Sequence, residues 1–509
     1  MKKIVLFVVV AVAAFLGWNQ YSANESKDHI VVSGPFEFHG IDISKNGYMF
    51  SRLGVTQSLT HLSTDGQVEP LLATDWQQSD DGKQWRFTLR RNVYFHNGQT
   101  FSADDVVASL TRAMSKPGLI KKVPITSVNS DNGDVVITLS SAYRPLLATL
   151  AHFSLGIVSK DAIDQNGDIT AMNATGPYKV ETLVAPHKLT VQAFEKYWGS
   201  KPHITSIEYQ AGHRSESRAL QVQSGQADIA YSIDAISKQT LSSAKNVEVK
   251  SLSLPRTVMI KLNNTHPFLA DVRVRQAMSL ALDREGIASS ILFSPDSAAY
   301  QLFSQSQGDW YVADVPKQRN LTLASELLIA AGWQKINQGW LEKDGQKFEV
   351  KLTTYADRPE LPLIATAIQN QLAEVGISVV VSIDNSSVIP AGHNDNSLEM
   401  ALIARNFGMA GTPLPILYQD FSRLKGSEWG HMNWYSADVE RELSRLLVSD
   451  DAEEQTALTQ DVARTLIEQL PVIPVAYSTQ HIAVNKALKG LVFDPYEIDY
   501  RLENIQFND

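Results

Sequence analysis

Asp75-Trp76-Gln77-Gln78-Ser79-Asp80-Asp81-Gly82-Lys83-Gln84-Trp85-Arg86-Phe87-Thr88-Leu89-Arg90 encodes a strand, a tight turn and a second strand. Asp80-Asp81-Gly82-Lys83 is a turn signal, with Gly82 supplying the permissive backbone. Trp85, Phe87 and Leu89 then alternate with Arg86, Thr88 and Arg90, the period of a half-buried strand. A second turn follows at His96-Asn97-Gly98. Ser102 precedes Ala103-Asp104-Asp105, which predicts a helix N-cap with acids in the first turn. That helix runs through Val106, Val107 and Leu110 to about Met114. Trp76, Trp85, Phe87 and Phe95 are spaced as core residues, so the stretch reads as scaffold.

Outward from this stretch, strands and helices interleave. His29 to Val32 begins a strand, Asp131-Asn132-Gly133 is a hairpin turn before the strand Val135 to Leu139, and Tyr143 to Leu150 looks helical. Apolar strands are expected at Val258 to Leu262, Phe348 to Thr354, Ile377 to Ile383, Ala401 to Ala404 and Val472 to Tyr477. Helices are expected at Val272 to Leu282, Thr322 to Ala331, Pro362 to Val375, Val439 to Leu447 and Glu454 to Leu470. Alternation of this kind in the second half predicts an α/β lobe.

The 509 residues call for two or three domains. With 44% hydrophobic residues, the chain can bury sizeable cores. A formal net charge of −10 argues against a nucleic-acid partner, which needs a concentrated basic surface. The absence of cysteine excludes disulfides, thiolate metal sites, cysteine nucleophiles and a conventional lipoprotein anchor. Lys2 and Lys3 before the apolar run Ile4 to Gly17 form the layout of an export signal over 1–23, with an uncleaved anchor as the alternative. No P-loop, G-x-S-x-G elbow or glycine-rich dinucleotide turn is present, so no enzyme and no cofactor is expected.

The opening stretch, extended to Phe95-His96-Asn97-Gly98 and Ala103-Asp104-Asp105-Val106, resembles the extracytoplasmic solute-binding proteins of peptide/nickel ABC importers. Further segments resemble that family in the same order: Gly176-Pro177-Tyr178, Glu195-Lys196-Tyr197-Trp198-Gly199, Gln223-Ser224-Gly225-Gln226-Ala227-Asp228, Asp271-Val272-Arg273-Val274-Arg275-Gln276-Ala277 and Ala281-Leu282-Asp283-Arg284. The resemblance implies a two-lobed α/β periplasmic binding fold with an extra α/β subdomain on lobe one, closing at a hinge around its ligand. Lobe one is expected over 28–255 with the subdomain at about 60–175, lobe two over 256–480, and a return to lobe one over 481–509. It also implies a monomeric periplasmic protein that hands a small ligand to an ABC permease in the inner membrane.

Two ligand classes stay open, a metal chelate such as a nickel chelate and a short peptide; a membrane-anchored sensor of the same fold is a further alternative. Family members that bind peptides carry an acidic residue before a lobe-two proline; Thr412 stands there, before Pro413. Nickel-type members carry an arginine in the stretch that here reads Ala151-His152-Phe153-Ser154-Leu155-Gly156. Tyr355 and Asp357-Arg358-Pro359 resemble the metal-chelate branch. Candidate ligand contacts are Tyr355, Arg358, Arg405, Asn406, Phe407, His431, Trp434 and His152. Arginine matches carboxylate geometry bidentately. His431 and His152 are the candidate imidazoles for a bound metal. The competing readings are a structural ion pair for Arg405, a surface turn for the His431–Trp434 loop, and a satisfied polar residue for His152. His393, in the polar loop Gly392 to Ser397, is expected to be exposed. The histidines show no spacing of a preformed metal site, so any metal should arrive inside a chelator.

Overall fold

The computed structural model describes residues 28–212, 214–336, 339–356 and 358–508. The expected export segment over 1–23 and Asp357 lie outside the described residues. Among the described residues, no helix is long and apolar enough to cross a membrane.

One ten-stranded sheet organises the molecule. Its strands are β1 (His29–Gly34), β2 (Tyr178–Val184), β3 (Lys188–Ala193), β4 (Ser206–Ala211), β5 (Ile229–Ile233), β6 (Val247–Leu262), β7 (Glu349–Tyr355), β8 (Ser378–Asp384), β9 (Met400–Asn406) and β10 (Val472–Asn485). Their spatial order is β8-β7-β9-β6-β10-β5-β1-β4-β3-β2. The long strands β6 and β10 pair with each other and run through both lobes. Val247 to Ser253 pair with Asn485 to Thr479 on the side of β5 and β1. Thr257 to Lys261 pair with Tyr477 to Val472 on the side of β9 and β7. Between these blocks, Leu254-Pro255-Arg256 break the register. Pro255 has no N–H to give the ladder, so the break falls where two blocks can hinge.

Sequence reading places only one half of each of these strands, Val258 to Leu262 and Val472 to Tyr477. In the other half of β6, exposed and half-buried residues alternate, so no apolar run marks it. The strand expected at Ala401 to Ala404 extends to Asn406, which puts Arg405 and Asn406 on the sheet rather than in the loop after it.

The opening stretch forms part of the extra subdomain. Ala73–Gln78 and Gln84–Leu89 pair antiparallel within a four-stranded sheet that also holds Asp134–Leu139 and Ile125–Asp131. Trp85 and Phe87 are buried there. α1 (Ile43–Arg52) lies in lobe one. α2 (Ala103–Ser115) starts with a capping box in which the Ser102 N–H donates to Asp105 at 2.9 Å.

Subdomain and lobe two also meet. The Arg144 backbone N–H donates to the Leu447 carbonyl at 2.8 Å, and its Nη1 to the Ser449 carbonyl at 2.8 Å. These carbonyls end α4 (Ala437–Leu446), where the helix dipole favours a cation. Gly411 of lobe two faces Leu62 and the Gly66 carbonyl.

Candidate functional site

The register of β6 and β9 sorts the candidate residues onto two faces. Arg256 pairs with Asn406 and Thr257 with Arg405. Successive strand residues point to opposite faces, so Arg405 departs from the face that carries Arg256 and Asn406.

On the Arg405 face, one edge of the guanidinium is held by a carboxylate. Nε and Nη2 donate to the two Asp420 oxygens at 2.7 and 2.8 Å. Asp420 is wholly buried on α3 (Leu414–Phe421) and also accepts from the Ser427 hydroxyl. Lys261 shares this interior: its Nζ donates to the Gly430 carbonyl at 2.7 Å and lies 2.8 Å from His393 Nδ1. Burial pushes the Lys261 pKa down to about 7, against the pull of Asp420. His393, expected to be exposed, is therefore a correction: it is buried because a lysine on a core strand needs its lone pair. His431 is buried beneath this cluster, and Phe421 and Trp434 pack around its ring. Trp434 N–H donates to its Nδ1 at 3.3 Å. Phe407 is wholly buried against Phe303, and its N–H donates to the hinge Pro255 carbonyl at 2.7 Å.

The Arg256 face looks toward lobe one. Arg256 Nη2 pairs with Glu497 Oε2 at 2.6 Å across the hinge. Gln480 Nε2 donates to the other Glu497 oxygen at 3.2 Å. Arg52, at the end of α1, donates from Nε to the Glu497 carbonyl at 2.8 Å. Burial opposes the Glu497 charge, but Arg256, Arg52 and Arg358 outweigh it and hold its carboxyl below the ordinary value. Arg358 retains an exposed fraction of 35% and only a loose 3.9 Å approach to Glu360. Burial and then the Arg256 charge lower its pKa. Tyr355 is buried beside it, with Oη accepting from Ala404 N–H at 3.4 Å and Trp429 packed edge-on. Asn406 Oδ1 accepts from Gly408 N–H at 2.8 Å, capping the chain as it leaves β9.

A run of contacts carries this face into lobe one. Arg52 lies over the Phe36 ring at 4.4 Å and 5.5 Å from the Tyr48 ring. Tyr48 packs edge-on against Phe153, and His152 packs on Phe153 with ring centres 3.9 Å apart. His152 Nδ1 contacts the Ser154 hydroxyl at 2.8 Å, while its Nε2 is buried without a hydrogen-bond partner. Burial lowers the His152 pKa to about 4, so the imidazole is neutral at pH 7.

The structure thus brings Tyr355, Arg358 and Asn406 to the hinge and joins His152 to them through lobe one. It places Arg405, His431, Trp434 and Phe407 in lobe-two packing. Sequence reasoning missed Arg52, Glu497 and Tyr500. Arg52 and Glu497 are 445 residues apart, and no local pattern links them. An arginine after a strand proline, as in Pro255-Arg256, is the one signal that could have marked the hinge.

Comparison with known proteins agrees with this architecture. The chain is 26% identical to the nickel-binding periplasmic protein of Escherichia coli K12, over 98% of each chain. It is 23% identical to the oligopeptide-binding protein AppA of Bacillus subtilis 168, over 87% of this chain and 84% of that one. The crystal structure of NikA from Brucella suis in complex with Fe(III)-EDTA shares the fold with a TM-score of 0.84 at 23% identity, covering 94% of this chain and all of that one. The profile of the bacterial extracellular solute-binding proteins, family 5, matches residues 67–427, and the chain belongs to that family.

Proposed function

We propose that this protein is the binding subunit of an ABC importer and captures a small carboxylate-rich metal chelate between its lobes. It does so in the periplasm, as a monomer and not as an enzyme, and delivers the ligand to an inner-membrane permease. The observation that carries the reading is the gathering of three guanidinium groups around Glu497: Arg256 pairs with its carboxylate, Arg52 holds its main-chain carbonyl, and the charges of both and of Arg358 lower its pKa. A site with guanidinium groups in excess favours an anionic guest, and partial burial strengthens each contact. Arg358, the least engaged of the three, is the proposed lobe-two anchor, with Tyr355 and Asn406 beside it. His152 Nε2 supports a metal in the guest: a neutral, unpartnered imidazole nitrogen is a ready ligand. Thr412 offers no charge to a peptide's α-ammonium. The relatives named above include both nickel-binding and oligopeptide-binding proteins, so the choice of the chelate class rests on the cleft chemistry alone.

Native mass spectrometry of protein purified without refolding, combined with elemental analysis, tests this. The expected result is one metal per chain together with an organic acid of low mass. A ladder of short peptides with no metal would contradict it.

A further inference from the structure

Arg52 is only 6% exposed, yet it is incompletely satisfied. Its Nε has the Glu497 carbonyl, but its Nη1 is buried without a hydrogen-bond acceptor. Tyr500 stands next to it, 4% exposed, and its Oη is also buried without a hydrogen bond of normal geometry. The guanidinium carbon lies 5.5 Å from the Tyr500 ring centre. Burial raises the Tyr500 pKa, and the Arg52 charge opposes that rise.

Apart from each other, where a hydrogen bond from Arg52 helps to lower the Tyr500 pKa, the surroundings offer these two groups no acceptor. Phe36 and Tyr48 present ring faces, which attract a cation but do not end an N–H. Tyr231 stacks on Tyr500 at 3.7 Å and holds the phenol in place. The nearby carboxylates are committed elsewhere. Glu497 serves Arg256 and Gln480. Asp494 accepts from the backbone N–H groups of Tyr496, Ile498 and Asp499, and Asp499 from that of Arg501. Buried donors left unpaired cost stability, and a built site normally supplies their partner. A water would end the hydrogen bonds but leave the charge.

We propose that Arg52 Nη1 and Tyr500 Oη form the lobe-one receptor for a carboxylate of the ligand, while Arg358 contacts the same ligand from lobe two. The proposal takes its ligand class from the chelate reading above. Two convergent donors, one of them charged, bind a carboxylate with both strength and direction. Because Arg52 also holds the Glu497 carbonyl, ligand capture is tied directly to the hinge pair Arg256–Glu497.

Calorimetric titration of wild type, Arg52→Gln and Tyr500→Phe with two probes, Fe(III)–EDTA and metal-free citrate, tests the receptor. Wild type is expected to bind both. Arg52→Gln should weaken both by about 30-fold or more. Tyr500→Phe, which keeps the ring stack, should weaken both by about five-fold. Should Arg52→Gln fail to fold, Tyr500→Phe decides alone. Unchanged affinity in the folded variants overturns the receptor, as does a wild type that binds neither probe. Citrate binding that falls in both variants, with no Fe(III)–EDTA binding by wild type, sustains the receptor and sinks the metal-chelate reading.

Discussion

Arg405 and Arg256 leave neighbouring strands one register step apart, and their surroundings differ. Arg405 is held by both oxygens of a wholly buried aspartate, beside a buried lysine and two buried histidines. Arg256 shares one glutamate with Arg52 and Arg358. The first arrangement pairs its charges: Arg405 finds Asp420, and Lys261 finds His393 and the Gly430 carbonyl, inside lobe two, with His431 Nε2 left without a hydrogen bond of normal geometry. The second is open, with Arg52 Nη1, Tyr500 Oη and most of Arg358 still to be served. An arginine near a cleft is thus informative only together with its partner. The saturated pair fixes a loop, and the unsaturated group recognises a guest.

The largest effect that would sharpen this contrast is on stability. Asp420→Ala strands the Arg405 charge beside Lys261 and should cost about 3–5 kcal/mol of folding free energy, as breaking a buried pair does. Urea denaturation measures it, and a loss below about 1 kcal/mol would mean that the cluster is wetter than its burial implies.

Next comes a pH dependence to which the closed cluster contributes. Burial, then the Lys261 charge, lowers the His393 and His431 pKa values to about 4 and about 3, from 6.5. As pH falls from 6.5 toward 4, the unfolded chain takes up protons that the folded chain refuses, so stability must drop. Lys261 acts in the same sense higher up. Between about 7 and its ordinary 10.5 the folded chain has released a proton that the unfolded chain keeps, so its contribution rises with pH. Lys261→Met should flatten the upper window and also make the lower one shallower, because its charge no longer depresses the two histidines. Denaturation midpoints at pH 4.5, 7 and 9.5 for the two proteins check both signs.

The smallest effect concerns closure. Arg144→Ala removes one side-chain hydrogen bond between subdomain and lobe two, worth about 1 kcal/mol. Ligand dissociation followed by stopped flow should quicken about five-fold, with the association rate little changed. Because the chain has no cysteine, a pair of introduced cysteines can carry labels that report the lobe separation directly.

Much of the fold was legible because it is local. The turn at Asp80–Lys83, the alternation Trp85-Phe87-Leu89 and the cap at Ser102 each declare themselves within a few residues, and each forms as read. Half of β6 stayed hidden because partial exposure erases the apolar run, and the second half of β10 because the buried polar pair Gln480-His481 interrupts it. The site was less legible for two physical reasons. One residue of register decides whether Arg405 or Asn406 shares the Arg256 face, and no composition signal encodes that step. Glu497, the hub of the open cluster, lies in a loop of the C-terminal return and meets Arg52 and Arg256 only through the fold. His393 was misplaced for a related reason: polar neighbours suggest exposure, while its actual partner, Lys261, is 132 residues away.

The account turns on which arginine meets the ligand, and paired titration of Arg358→Ala and Arg405→Ala with Fe(III)–EDTA, on protein shown to be folded, tests that most directly. Arg358→Ala is expected to lose about 2 kcal/mol of binding free energy or more, while Arg405→Ala binds as wild type does and loses stability instead. Intact binding by Arg358→Ala together with lost binding by Arg405→Ala would contradict it.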